Sequence, residues 1–185
     1  MLLRHLGTQP IETMRLQLRR FQLDDAEDMF RNWAGDPEVC KYLSWGPHQD
    51  VDVSRRRITY WMSSYQRNNL YVWAIELKHK KMAIGTISVE VTNESTLSCE
   101  VGYCLGKEYW GRGIMTEALH IVMHFLFYEV GFQKIIAKHD TLNIASGRVM
   151  QKAGMHFVNY EYRVGVRRDG SYYDCAVYEK KITEE

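Results

Sequence analysis

The chain has 185 residues, 45% hydrophobic and 25% charged, with a formal net charge of +1. That length accommodates one domain with a substantial core, and the balance of 24 basic and 23 acidic residues excludes a whole-molecule pull toward nucleic acid or an anionic membrane. Abundant aromatics (5 Trp, 12 Tyr, 6 Phe) against 3 Pro exclude a disordered chain.

Residues 1–12 read as a loose lead-in, with no apolar signal core because Arg4 and His5 follow Met1-Leu2-Leu3 directly. Met14 to Phe21 alternates apolar and polar residues, which is strand period. Asp24-Asp25 opens a helix with acids in its first turn and an apolar stripe of Ala26, Met29, Phe30 and Trp33, stopped by Gly35. A short helical turn follows from Asp36-Pro37 to Tyr42. The next helix is capped by Asp50 or Asp52 and runs to about Arg67. Its Arg55-Arg56-Arg57 run reads as a solvated face, since no wider basic surface accompanies it.

Three strands then follow, Tyr71–Leu77, Met82–Val91 and Thr96–Leu105, as an antiparallel meander. Gly85 within a strand signals a bulge or a close backbone approach. After a glycine-rich turn comes a helix from about Gly113 to Glu129, then a strand Lys134–His139. A helix from Asn143 stops at Gly154, and strands His156–Val166 and Tyr172–Ile182 pair around a turn at Asp169-Gly170. The expectation is one α+β domain over residues 1–185. Its six- to seven-stranded, mostly antiparallel sheet should be flanked by about four helices, with a parallel crossover in the middle. The four cysteines (Cys40, Cys99, Cys104, Cys175) form no C-x-x-C pair and read as reduced thiols of a cytoplasmic protein. No apolar run reaches the roughly 18 residues of a membrane span.

Two segments carry chemistry. Trp110-Gly111-Arg112-Gly113 joins a strand to a helix, and a helix N-terminus behind a glycine turn is an anion site. It is neither a P-loop nor a dinucleotide fingerprint, lacking Gly-Lys-Ser/Thr, the third glycine and the ribose-binding acid. Asn143 starts a second helix directly after a strand, with Ser146 one turn later on the same face. Two helix N-termini after consecutive strands suit a phosphorylated ligand lying between the strand ends.

In these segments the chain resembles the GNAT superfamily of N-acetyltransferases, and within it the branch of Rim-type ribosomal-protein N-terminal acetyltransferases. The resemblance rests on Glu12-Thr13-x-Arg15-Leu16-x-Leu18-Arg19, on Glu100-Val101-Gly102-Tyr103, on Tyr109-Trp110-Gly111-Arg112-Gly113-x-x-Thr116-Glu117-Ala118, and on Asn143-x-x-Ser146-x-Arg148-Val149-Met150-x-Lys152-x-Gly154-Met155. It implies acetyl-coenzyme A as donor and a primary amine, on a protein N-terminus or a small molecule, as acceptor. It also implies that Trp110, Gly111, Arg112, Gly113 and Ile114 hold the pyrophosphate. It implies further that the backbone of Cys104 and Leu105 pairs with the pantetheine arm and that a splay beside Lys134–His139 makes the slot. Met115 stands where the superfamily carries a small residue.

Amine acetylation needs a base for the ammonium and an acid for the leaving thiolate. Glu100 is the candidate base, expected beside apolar neighbours, with an inward His139 or a water chain as rival. Much of the superfamily places a tyrosine acid where this chain has Met150, so Ser146 is the candidate acid, with Asn143 orienting it or the donor. Cys104 lacks the adjacent base a nucleophilic thiol needs, which favours direct transfer. His120 and His124 have metal-ligand spacing but no third ligand, and no metal is expected. The acceptor cleft is expected between the first two helices and the last hairpin, near Trp33, Tyr42, Trp45, Trp61, Tyr172 and Tyr173. No nucleic acid or membrane partner is expected, and the chain reads as a monomer or homodimer. The contrasting function is a non-catalytic acyl-coenzyme A-binding or regulatory module.

Overall fold

A computed structural model describes residues 2–167 and 170–182. Asp169 of the expected hairpin turn lies outside the described residues. The strands are β1 (Ile11–Glu12), β2 (Leu16–Arg19), β3 (Val72–Leu77), β4 (Met82–Asn93), β5 (Ser98–Leu105), β6 (Lys134–Asp140), β7 (His156–Val166) and β8 (Tyr172–Lys181). The helices are α1 (Asp25–Met29), α2 (Val51–Ser64), α3 (Ile114–Phe125) and α4 (Ile144–Lys152). Wider helical turns extend α1 through Phe30–Ala34 and α3 through Leu126–Val130.

The strands form one sheet in the order β1-β2-β3-β4-β5-β6-β8-β7, antiparallel except for the parallel β5–β6 pair. The architecture is the α+β arrangement expected from the element order, with eight strands among the described residues rather than six or seven. The additional strand is β1, inside the stretch read as a loose lead-in. It pairs Ile11 with Leu18 across a tight turn in which the Thr13 amide donates to the Leu16 carbonyl. Upstream, Thr8 Oγ1 donates to the Leu70 carbonyl and accepts from the Val72 amide, so the lead-in is tied to β3. Two residues are too few to show an alternation, which is why the pattern alone did not reveal β1.

Alternation along β3 sends Tyr71, Trp73, Ile75 and Leu77 to one face and Val72 and Ala74 to the other, and all are buried. The first set packs with α3 and α4 around Ile114, Leu119, Val122 and Met150. The second packs with α1, its extension and α2 around Met29, Trp33 and Ile58. Helices therefore cover both faces of the central strands, as a sheet apolar on both sides demands. Gly85 serves both roles read from it. The β3–β4 register shifts between Ile75 and Glu76, opposite Gly85 and Ala83, and a Cβ on Gly85 would lie 2.4 Å from the Cys104 carbonyl.

Candidate active site

The parallel β5–β6 ladder runs from Ser98↔Lys134 to Val101↔Ala137 and then stops. Beyond it β5 continues to Leu105 paired only with β4, and β6 continues to Asp140 paired only with β8. The two strands splay, leaving an open backbone edge on β5. The Gly106 amide donates to the Ile84 carbonyl at 2.8 Å, and backbone direction alternates along a strand. The amide and carbonyl of Cys104 are therefore directed at β4, whereas those of Tyr103 and Leu105 are directed at the open edge. Cys104 does not stand on the expected edge. Leu105 does, although its carbonyl is taken by the Trp110 indole at 2.7 Å.

β5 leads into the glycine turn. Gly111 and Gly113 have φ of +72° and +71°, with no protein atom nearer than 3.8 Å to a Cβ on either. Both glycines are required by backbone conformation, not by crowding. Gly113 is the N-cap of α3 and offers no side-chain cap, so the first α3 amides are open. The turn is braced from outside. Arg15 donates to the Arg112 carbonyl at 3.0 Å and holds Glu117 through Nη2 at 2.6 Å, while the Thr13 hydroxyl bonds the same carboxylate. The Thr13-x-Arg15 element of the N-terminal motif thus acts on the glycine turn. Met115 points into the core and does not crowd it.

Across the splay, the Asn143 side chain accepts the Ser146 amide at 3.3 Å and caps α4. Asn143 thereby fixes the backbone beside Ser146. The Ser146 hydroxyl reaches β5 instead, donating to the Tyr103 phenol oxygen at 3.0 Å, and that phenol donates to the Ser146 carbonyl at 3.0 Å. Burial pushes the Tyr103 phenol above the ordinary tyrosine range. The pair spans the slot on the α4 face. His139 lies on that face too, its Nδ1 facing the Asp140 carbonyl at 2.8 Å and its Nε2 closed off against Gly147 without a partner. A nitrogen facing a carbonyl carries a proton, so Nδ1 donates there while Nε2 stays without a partner behind α4.

Glu100 occupies the opposite face, since Val101 belongs to the core under α3 and α4 and neighbours on a strand alternate. It pairs with Ile136, one step before the splay. Its neighbours are not the apolar ones expected. Lys138 Nζ lies 3.2 Å from Glu100 and 3.1 Å from Glu161 on β7, and the Glu100 and Lys138 side chains are each 28% exposed. Burial lowers the Lys138 ammonium, but the two carboxylates outweigh it and hold the group above the ordinary lysine value. The structure brings Ser146, Asn143 and Tyr103 together and sets Glu100 with Lys138 and Glu161 across the sheet.

Burial also drives the Cys104 thiol far above its ordinary range, the reverse of an activated nucleophile. Among the described residues no cluster of His, Cys, Asp and Glu is arranged to hold a metal ion, and the His124 ring packs tilted against Tyr128, centroids 4.7 Å apart. Trp33 is wholly buried in the core, and Trp61 is half-buried against it, stacked on Phe21 at 4.8 Å. Sequence reasoning left Tyr103, Lys138 and Glu161 without roles. The available signal was Tyr103 two positions past Val101 on a strand entering the slot; Lys138 and Glu161 carried none.

Comparison with known proteins adds relatives to this geometry. Residues 15–156 match the family model for the acetyltransferase (GNAT) domain. The uncharacterised N-acetyltransferase p20 of Bacillus licheniformis is 30% identical over 148 residues, spanning 77% of this chain and 83% of its own. Among solved structures, the microcin C7 self-immunity acetyltransferase MccE, in complex with acetyl-CoA and AMP, superposes with a TM-score of 0.84 at 20% identity, over 96% of this chain and 99% of that one. The ribosomal-protein-S5-alanine acetyltransferase of Vibrio fischeri gives 0.81 at 20% identity, over 94% and 96%. At that identity the two superpositions establish the fold.

Proposed function

This chain belongs to the GNAT acetyltransferase family and is an acetyl-CoA-dependent N-acetyltransferase; from that premise we propose that it acetylates the N-terminal amine of a protein, as the Rim-type branch does, by direct transfer in the β5–β6 splay. The single observation that carries this reading is the open β5 edge placed between the uncapped N-terminus of α3 and Ser146 at the start of α4. These residues fit the donor. Gly111, Arg112, Gly113 and Ile114, with Trp110 beside them, would hold its pyrophosphate. Tyr103 and Leu105, in place of Cys104 and Leu105, would align its arm along the free backbone. The donor supplies an activated acetyl thioester.

The chain's own residues do the rest. Glu100 takes the proton from the acceptor ammonium on the face away from α4, where Lys138 and Glu161 keep the surroundings polar. Ser146 is the polar group of the leaving-group side, and Asn143 holds the helix start that carries it. The fold neighbour named as a ribosomal-protein-S5-alanine acetyltransferase is consistent with a protein N-terminus as acceptor. Arg55 to Arg57 argue against a polycationic acceptor there.

The deciding experiment measures thiol release from acetyl-CoA against N-terminal peptides beginning with Ala, Ser and Met, with polyamines and amino sugars alongside. The expected result is turnover confined to the peptides. Turnover on the small amines alone replaces the acceptor class, and tight acetyl-CoA binding with no turnover on any acceptor favours the non-catalytic module.

A further inference from the structure

The geometry points to Tyr103, delivered from β5, as the proton donor to the leaving thiolate, with Ser146 as the residue that positions it and steadies the phenolate. This rests on the reading of the β5–β6 splay as the acetyl-transfer slot. Tyr103 lies two residues past the last β5–β6 pair, on the face that α4 covers, so its ring crosses the splay. Its hydroxyl has two distinct relations to Ser146, each at 3.0 Å: it donates to the carbonyl and accepts from Oγ. The Ser146 proton lies on the phenol oxygen, where it stabilises the phenolate once Tyr103 has given up its own proton. The Tyr103 proton sits on a carbonyl from which rotation about the C–O bond releases it, with no movement of the ring.

The step balances. The carbon–sulfur bond of the thioester breaks and leaves its electron pair on sulfur. The Tyr103 O–H bond breaks and its proton goes to that sulfur, giving free thiol. The phenolate left behind accepts the hydrogen bond Ser146 Oγ already makes, and regains a proton from water after product leaves. Burial keeps the phenol protonated at neutral pH and opposes its ionisation, while the Ser146 hydrogen bond works in the other direction and eases loss of the proton toward the phenolate. Met150, fully buried in the core, offers no competing donor from α4.

Three measurements on Tyr103→Phe, which keeps the ring and removes only the hydroxyl, test the assignment. With acetyl-CoA, kcat should fall about 100-fold, the scale of a general acid. With an acetyl thioester of an electron-poor aromatic thiol, whose leaving group needs no proton, the ratio of wild type to variant should shrink to within about 3-fold. The third readout is binding without turnover. At about pH 9.5, where a free thiol is largely ionised, titration calorimetry should show coenzyme A binding the variant several-fold more weakly, and desulfo-coenzyme A binding both proteins equally. Ser146→Ala should lower kcat, and the double variant should be no slower than Tyr103→Phe alone. An equal deficit with both thioesters, or an equal loss for both coenzyme A forms, would overturn the assignment and reduce Tyr103 to packing. Absence of turnover by the wild type in the acceptor panel defeats the transfer reading instead, so the two failures are separable.

Discussion

Glu100 and Lys138 show how much one residue's role depends on its immediate partner. A carboxylate on one face of β5 was readable from period two, but not the ammonium 3.2 Å from it. Glu100→Gln keeps the shape of the side chain and removes the base. Steady-state kinetics should show kcat down by about 100-fold, with coenzyme A affinity by calorimetry within about 2-fold of wild type. Weakened donor binding with kcat intact would move Glu100 out of the chemistry. The cysteines make a second residue-scale case. All four are buried, and burial raises the Cys99 thiol to about 12. A thiol reagent at neutral pH should therefore label none of them within minutes in the native protein and all of them in denaturant. Rapid native labelling of any one would contradict the burial described.

At the scale of elements, the glycine turn is held by contacts from outside itself. Arg15 and Thr13, between β1 and β2, fix Glu117 in the first turn of α3 and the Arg112 carbonyl before it. Arg15→Met should raise KM for acetyl-CoA several-fold while leaving kcat near wild type, because the brace shapes the donor site and touches no reacting atom. A matched loss in kcat would instead implicate the chemistry. Burial opposes ionisation of Glu117, but its bonds to Thr13 and Arg15 outweigh it and hold the carboxyl below the ordinary value of 4.5. A depressed folded value stabilises the fold fully above the unfolded value and is lost as pH falls through the folded one. Denaturant midpoints measured between about pH 3 and 6 should accordingly fall less steeply below pH 4.5 for Glu117→Gln than for wild type, and parallel curves would show that the brace contributes no linkage.

For the whole molecule, one sheet carries every strand described, and a helical layer covers each face at its centre. We propose from this that residues 1–185 behave as one domain. Thermal unfolding followed by near- and far-ultraviolet circular dichroism should then give one coincident transition; two separated transitions would divide the chain. Truncating Trp73, fully buried between Tyr71 and Phe125 with its indole on the Gln9 carbonyl, should cost about 3–5 kcal/mol.

The sequence by itself determined most of the elements and their order, the glycine turn, the Asn143 cap and both faces of β3. Each follows from dihedral preferences or from periods of two and 3.6, which are local properties of the chain. Family resemblance, and not spacing, nominated Glu100, Ser146 and the Gly111–Ile114 turn as site residues. Only the tertiary structure decided that Cys104 spends its backbone on β4, that Ser146 meets Tyr103, that Lys138 stands between Glu100 and Glu161, and that the lead-in ends in a strand. These outcomes depend on register between segments far apart in the chain. A shift of one residue along β5 would exchange its two faces and its two edges together, and no local pattern reports which register is adopted.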